Sequence, residues 1–253
     1  MVRRRDANSV RKLVKDLILP VVVAITLAFV IQASLAKPYE IPTNSMFPAI
    51  QGTDGDHRSP DRVIANRVIY KLRDISPGDI IVFDPTMGAR AACIQLGDVP
   101  FVKRVIGVPG DQVSVRELTI SSTSPYPELR PGGAAAVKRT ATVKRTANPK
   151  SEYPDGITEQ QLKDGDTTHV TFVKKEGQAE AQPFIVPPAL TPYYTASFPG
   201  VPPGQLLVLG DNRPGSCDAY DWLDRNAEFT PEDNVIGQAE LIYWPITRLQ
   251  FLS

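Results

Sequence analysis

Residues 100–111 read PFVKRVIGVPGD, a run of strand-forming residues that ends in a turn signal. Alternate residues of a strand share a face, so Lys103 lies with Phe101 and Val105. Arg104 then points to the opposite side. Two interpretations are open. Both charges belong to an edge strand and extend into water, or Lys103 is a base whose pKa is lowered in apolar surroundings.

Several other stretches have the same strand-like character. They are DRVIANRVIYKL at 61–72, GDIIVFD at 78–84, GQLLVLGD at 204–211 and IGQAELIYWPI at 236–246. The chain also has 24 prolines, which interrupt helices and suit loops and edge strands. We therefore predict a mainly β, mostly antiparallel domain.

The character changes between residues 121 and 167, where large apolar residues are scarce and VKRTA occurs at both 137–141 and 143–147. This composition predicts an inserted, mobile stretch. A solvated loop is one interpretation, and contact of its basic residues with anionic lipid is the other. We place the β core at 37–117 and 201–253, with a loop-rich inserted subdomain at 118–200.

The overall composition excludes some functions. The 253 residues hold 28 Lys and Arg against 28 Asp and Glu, so no net positive charge attracts nucleic acid. Cys93 and Cys217 are the two cysteines, without a CxxC motif, so we expect no metal cluster. They form either a disulfide, if the domain lies outside the cytoplasm, or two unpaired buried thiols.

The N-terminus resembles a membrane anchor. Residues 1–16 are strongly basic, and residues 17–36 carry no charge over about the 20 residues that span a bilayer. We predict a cytoplasmic N-terminus and a single transmembrane helix at 17–36 in the cell membrane, with the rest extracytoplasmic. A cleavable signal peptide ending at Ser34-Leu35-Ala36 is the alternative. In either case residues 37–253 lie across the membrane.

A candidate nucleophile follows directly, in IPTNSMFPAI at 41–50. The hydroxyl of Ser45 needs a base, and the histidines are His57 and His169. A triad through His57 stays open, although no GxSxG elbow surrounds Ser45. Asp54 and Asp56 weakly suggest a calcium loop without EF-hand spacing. Lys103 is the other candidate base, and the polar turn in LLVLGDNRPGSCDAYDW at 206–222 could hold it.

Taken in order, these stretches resemble the bacterial type I signal peptidases. The resemblance is carried by the basic N-terminus, the apolar span, PTNSMFP, GDIIVF, FVKRVIGVPGD, GDNRPGSCD and IGQAELIYWP. It covers the span, 37–115 and 204–246, and leaves 118–200 aside. It implies an antiparallel, barrel-like catalytic domain behind a transmembrane helix. It also implies a Ser–Lys serine endopeptidase that needs no cofactor or metal and cuts signal-peptide-bearing preproteins at the lipid bilayer.

The resemblance assigns roles by motif position. Ser45 matches the nucleophile and Lys103 the general base. Thr43, together with the backbone N–H of Ser45, matches the oxyanion hole. Ser216 matches the serine that orients the lysine. Supporting positions of the same box match Asp211, Asn212, Arg213 and Asp218.

The chain departs from the family pattern after Asp218, where Ala219 and Tyr220 replace the usual Ser-Arg. The usual arginine partner of the aspartate is missing, and we expect Arg213 or Arg225 to replace it. Pro48-Ala49-Ile50 also replaces the usual Pro-Thr-Leu. Two other classes are considered: an SOS-type self-cleaving repressor, which would need a DNA-binding domain at the N-terminus, and an exported, anchored, non-catalytic β-rich binding module.

Overall fold

A computed structural model describes residues 14–24, 35–53, 59–94, 97–142, 156–185, 190–192 and 194–252. The chain divides into two compact units, Met1–Lys37 and Pro38–Ser253. In the first unit, Val14–Ile18 form a π-helical turn and residues 19–24 are α-helical. None of the described helices has both the length and the apolar character needed to cross a bilayer. Residues 25–34 of the predicted span lie outside the described residues.

The described residues contain fourteen strands. Those of the first half are β1 (Ala36–Glu40), β2 (Arg62–Asn66), β3 (Ile80–Phe83), β4 (Phe101–Gly107), β5 (Gln112–Thr119) and β6 (Val137–Thr142). Those of the second half are β7 (Gly156–Gln161), β8 (Thr167–Lys174), β9 (Gln182–Pro183), β10 (Ala196–Phe198), β11 (Gln205–Leu209), β12 (Phe229–Pro231), β13 (Val235–Trp244) and β14 (Gln250–Phe251). Two short helices, α1 (Met87–Ala92) and α2 (Ala219–Trp222), accompany them.

The largest sheet has the strand order β1-β2-β13-β3-β4-β11-β12, and β14 pairs with β13. The registers described for its strand pairs are antiparallel, which confirms the mainly β, antiparallel prediction. The barrel-like expectation is wrong for the described strands. Closure requires the two end strands to pair, and β1 and β12 are separated by five other strands.

The alternation of side chains along β3 shows how this sheet is buried on both faces. Ile81 and Phe83 belong to one core cluster, together with Phe101 and Trp222. Ile80 and Val82 belong to another, which also contains Met46. Successive strand residues point to opposite faces, so a four-residue apolar run can supply both clusters.

The region 118–200, predicted as a loop-rich subdomain, contains the strands β6 to β10. A second sheet has the order β10-β5-β8-β9, and β6 pairs with β7 as a separate two-stranded sheet. The first VKRTA repeat lies in β6. The second repeat, at 143–147, lies outside the described residues.

Cys93 and Cys217 form a disulfide, so the prediction of a disulfide is confirmed over that of two unpaired buried thiols. The bond joins the C-terminal end of α1 to the segment before α2, across 124 residues of sequence. Trp222 of α2 packs against it and donates its indole N–H to Cys93 Sγ at 3.1 Å. The disulfide therefore fixes the segment that contains Ser216 and Asp218 to the core.

Candidate active site

Strand β4 carries Lys103 through the interior of the large sheet. It lies between β3 and β11, with Ile81 opposite Lys103 and Leu209 opposite Arg104. Lys103 is 1% exposed and Arg104 is 2% exposed. The edge-strand interpretation is therefore wrong, because neither charge reaches water.

The amine of Lys103 has one hydroxyl partner. Its Nζ donates a hydrogen bond to Ser216 Oγ at 2.7 Å. Burial lowers the pKa of Lys103 to about 8, against the opposing attraction of the Asp218, Asp221 and Asp211 carboxylates. A buried ammonium loses its hydration, so the neutral amine is favoured. Near neutral pH a much larger fraction of this lysine is therefore neutral, and able to accept a proton, than of an ordinary lysine.

Ser45 lies in a single 3-10 turn, Asn44–Met46, which follows the extended residue Thr43. Met46 is fully buried in the second core cluster, so it anchors the turn while Ser45 stays half-buried. The Thr43 hydroxyl lies 3.4 Å from Ser45 Oγ. A donor thus sits beside the nucleophile candidate.

The polar turn after β11 contacts the turn that carries Ser45. The backbone N–H of Asn212 donates to the Ser45 carbonyl oxygen at 3.0 Å. The Asn212 side-chain amide donates to the Asn44 carbonyl oxygen at 3.0 Å. A Cβ at Gly210 would overlap both Ser216 Oγ and the Ser45 carbonyl oxygen. Only glycine allows this close approach of the two segments.

Arg104 and Asp211 form a buried ion pair on the other side of β4. Arg104 donates from Nε to Oδ1 at 2.9 Å and from Nη2 to Oδ2 at 2.7 Å. Its Nη1 donates to the Gly78 carbonyl oxygen at 2.7 Å. Removing one partner of such a pair leaves an unpaired buried charge, which costs about 3–5 kcal/mol. The pair therefore holds the polar turn against β4.

Asp218 caps α2 instead of pairing with an arginine. Its carboxylate accepts the N–H groups of Gly210 at 3.0 Å and Tyr220 at 3.3 Å. Among the described residues neither Arg213 nor Arg225 forms a salt bridge with Asp218, although the charge of nearby Arg213 lowers the pKa of its carboxyl group. Burial raises the pKa of Asp218, while nearby Lys103 and the Gly210 N–H lower it.

The residues that depart from the family pattern have structural partners of their own. Ala219 is fully buried in the first core cluster. Tyr220 stacks on Tyr194, with ring centroids 4.0 Å apart. Arg213 donates from Nη1 to Thr171 Oγ1 at 3.3 Å, which links the polar turn to β8. Aromatic stacking thus occupies the position where the family pattern has Arg.

Ser45 and Lys103 line one cleft. Its walls come from residues 39–43 and 45–46 on one side and 99–103 on the other. Most of these side chains are apolar, including Tyr39, Ile41, Met46 and Phe101. The arrangement suits an extended peptide with small apolar side chains, presented to a hydroxyl and a buried amine.

A family model described as "Signal peptidase, peptidase S26" matches residues 14–244. The match covers most of the chain. The chain belongs to the S26 signal peptidase family. Membership makes it a serine peptidase, which hydrolyses peptide bonds, and confirms the resemblance inferred from the motifs.

Curated signal peptidases are similar to this S26 peptidase over most of its length. A probable signal peptidase I-2 of Synechocystis sp. is 28% identical over 92% of this chain and 74% of its own. Signal peptidase IB of Staphylococcus aureus is 26% identical over 95% and 94%. Signal peptidase I of Mycobacterium tuberculosis is 27% identical over 94% and 75%.

The structure brings Thr43, Ser45, Lys103 and Ser216 of this S26 peptidase together. The alternative base is untested, because His57 lies outside the described residues, as do Asp54 and Asp56. His169 lies on β8, where its Nε2 is 3.8 Å from a Glu117 carboxylate oxygen.

Sequence reasoning missed the residues that support the S26 site through packing. These are Gly210, Asn44, Gly52 and Arg104. Gly52 donates its N–H to Asn44 Oδ1 at 2.7 Å, and a Cβ there would overlap the backbone of Thr43. A glycine seven residues after a serine gives no local signal of such a contact.

Proposed function

We propose that this peptidase removes N-terminal signal peptides from exported preproteins, with Ser45 as nucleophile and Lys103 as general base. The observation that carries the proposal is the buried amine of Lys103, which donates a hydrogen bond to Ser216 Oγ at 2.7 Å. Lys103 and Ser45 line the same cleft. An enzyme needs a base with a pKa near its working pH, and a desolvated lysine supplies one.

The proposed reaction begins when neutral Lys103 takes the proton of Ser45. The Ser45 oxygen attacks the carbonyl carbon at the end of the signal peptide. The Thr43 hydroxyl and the Ser45 N–H donate to the developing oxyanion, each contributing on the order of 3 kcal/mol. Protonated Lys103 then gives its proton to the leaving amine, the new N-terminus of the mature protein. Lys103 finally activates the water that hydrolyses the acyl-enzyme.

The supporting residues have separate proposed tasks. Ser216 orients the Lys103 amine through the hydrogen bond it accepts. Asp211 acts through Arg104, and Asn212 acts through the carbonyl oxygens of Asn44 and Ser45. Arg213 ties the polar turn to β8, and Asp218 closes the turn by accepting the Gly210 N–H. None of these five supporting residues needs to touch substrate.

We further propose that residues 17–36 anchor the peptidase in the cell membrane, with residues 37–253 on the extracytoplasmic side. The uncharged run after a basic segment supports the anchor. The Cys93–Cys217 disulfide supports an oxidising compartment, since disulfides are rare in the cytoplasm. Substrates would then arrive at the bilayer surface, where the 37–117 and 201–253 core would receive them.

The test is cleavage of a purified preprotein by the detergent-solubilised full chain, beside Ser45→Ala and Lys103→Ala. We expect cleavage after a small residue by the wild type and none by either variant. Circular dichroism checks that both variants are folded. Full activity of Lys103→Ala would reject the dyad and direct attention to His57. A wild type that binds preproteins without cutting them would support the binding-module alternative.

A further inference from the structure

Asp61 joins the two ends of the segment that carries Ser45. The Ile41 N–H donates to the Asp61 carbonyl oxygen at 3.0 Å, and the Asp61 N–H donates to the Gln51 carbonyl oxygen at 2.8 Å. The Gln51 N–H donates in turn to Asp61 Oδ2 at 2.8 Å. Residues 41 and 51 are therefore both tied to Asp61, and Ser45 lies between them.

The Asp61 carboxylate is 0% exposed, and among the described residues its cationic partner is Arg248. Arg248 Nε lies 2.8 Å from Oδ1 and 3.1 Å from Oδ2, and Nη2 lies 2.9 Å from Oδ2. The same Nη2 donates to the Ala49 carbonyl oxygen at 3.3 Å. One guanidinium thus holds the buried carboxylate and the segment itself, from 187 residues away in sequence.

Arginine suits this task because its planar fork reaches two oxygens and a third acceptor at once. Lysine offers one nitrogen and cannot make all of these bonds. The buried carboxylate also requires its cation, since an unpaired charge there would be strongly destabilising. Without Arg248, the Asp61 carboxylate would be driven toward water, and that movement would release Gln51.

We infer that Asp61 and Arg248 are positioning residues for the nucleophile, in that they fix residues 41–51 so that Ser45 faces Lys103 in the cleft. The inference rests on the proposed function and deepens it. Neither residue lines the cleft that holds Ser45 and Lys103. Their effect is therefore transmitted through residues 41–51 and falls chiefly on the geometry of attack, and the Lys103 amine keeps its own hydrogen bond to Ser216.

The test compares Arg248→Ala and Arg248→Lys with wild type in steady-state cleavage of a signal-peptide substrate by the full-length enzyme. A displacement of about 1 Å can cost on the order of 100-fold in rate. We expect kcat of Arg248→Ala to fall by about that factor, with KM within about threefold of wild type. Arg248→Lys should retain an intermediate kcat. The pH midpoint of kcat should not move.

Arg73→Ala is the matched control. Arg73 forms a comparable two-point pair with Asp79, at 2.8 and 2.9 Å, with 37% and 12% of the two side chains exposed. Its side-chain partners are Asp74, Asp79 and Gln238, none of which lies in residues 41–51. We expect its kcat to stay within about threefold of wild type, even where thermal unfolding shows a similar loss of stability.

Three results would overturn the inference while leaving the proposed function intact. They are an equal loss of kcat in Arg248→Ala and Arg73→Ala, a loss confined to KM, and a shifted pH midpoint. A wild type that cuts no signal-peptide substrate would instead reject the proposed function. If Arg248→Ala does not fold, Arg248→Lys against Arg73→Lys gives the same comparison.

Discussion

At the scale of single residues, desolvation controls the chemistry of this site. Among the described residues no carboxylate forms a salt bridge with Lys103, and its hydrogen-bond partner is the neutral hydroxyl of Ser216. A directly paired carboxylate would favour the ammonium form and raise the pKa. A hydroxyl orients the amine without adding that charge. The pairing with Ser216 thus keeps Lys103 a base while holding it in place.

The first prediction concerns pH. Because burial lowers the pKa of Lys103 to about 8, the neutral fraction at pH 7 is roughly one in ten. An ordinary lysine would be neutral in only about one molecule in three thousand. We expect kcat to rise about tenfold per pH unit below the midpoint and to level off above about pH 8. A pH series of single-substrate kinetics measures this, and a midpoint near 6 would point to a histidine instead.

The second prediction concerns Gly210. Gly210→Ala places a methyl group against Ser216 Oγ and the Ser45 carbonyl oxygen, so the two catalytic segments must move apart. We expect activity to fall by about 100-fold or more, since small displacements at a reacting centre are costly. Gly200→Ala is the control, because no heavy atom lies within 4 Å of the added methyl group. Equal activity of the two variants would contradict the argument.

At the scale of elements, the order of strands assembles the site. Strand β11 pairs with β4 and ends immediately before Gly210, so its polar turn is delivered beside Lys103. Helix α2 begins at the end of that turn, and its N-cap Asp218 also accepts the Gly210 N–H. The end of a strand and the start of a helix therefore share one carboxylate. Removing the charge of Asp218 should change the pKa of Lys103 more than the stability of α2.

The third prediction follows from this shared carboxylate. Asn caps a helix about as well as Asp, so Asp218→Asn should keep α2 intact. Removing the charge also removes an attraction that raises the pKa of Lys103. The midpoint of the pH–kcat profile should therefore move to lower pH. Asp224→Asn, an exposed neighbour, should leave the midpoint unchanged. An upward shift would show that this carboxylate does not stabilise the ammonium.

At the scale of the whole molecule, one covalent bond and one ion pair join distant parts of the chain around the site. The Cys93–Cys217 disulfide closes 124 residues of sequence, and Arg248 reaches Asp61 across 187. Cys217 directly follows Ser216, and Asp61 is hydrogen-bonded to both ends of the segment that carries Ser45. A rigid frame around a reacting pair is what accurate positioning requires.

The fourth prediction concerns the disulfide. A loop of this length stabilises the folded state by roughly 2–5 kcal/mol in the chain-entropy account. For a domain of this size the Cys93→Ala, Cys217→Ala double variant should lose roughly 5–15 °C in Tm. Thermal unfolding of the solubilised chain measures the loss, and wild type in reductant should match the variant. An unchanged Tm in both would show that the core holds α1 and α2 without the bond.

Local patterns in the sequence determined where the strands lie and which face of β4 carries Lys103. The two-residue period of 101–107 separates Lys103 from Arg104, and turn signals delimit the strands, because both effects act over a few residues. Strand order, by contrast, depends on contacts between segments that are far apart in the sequence. Only the tertiary structure decided that β4 is an interior strand of its sheet, that the sheet does not close into a barrel, and that Asp211 forms an ion pair with Arg104. It alone revealed that Gly210 must lack a side chain and that Arg248 holds Asp61, because burial and close approach arise only when distant segments pack.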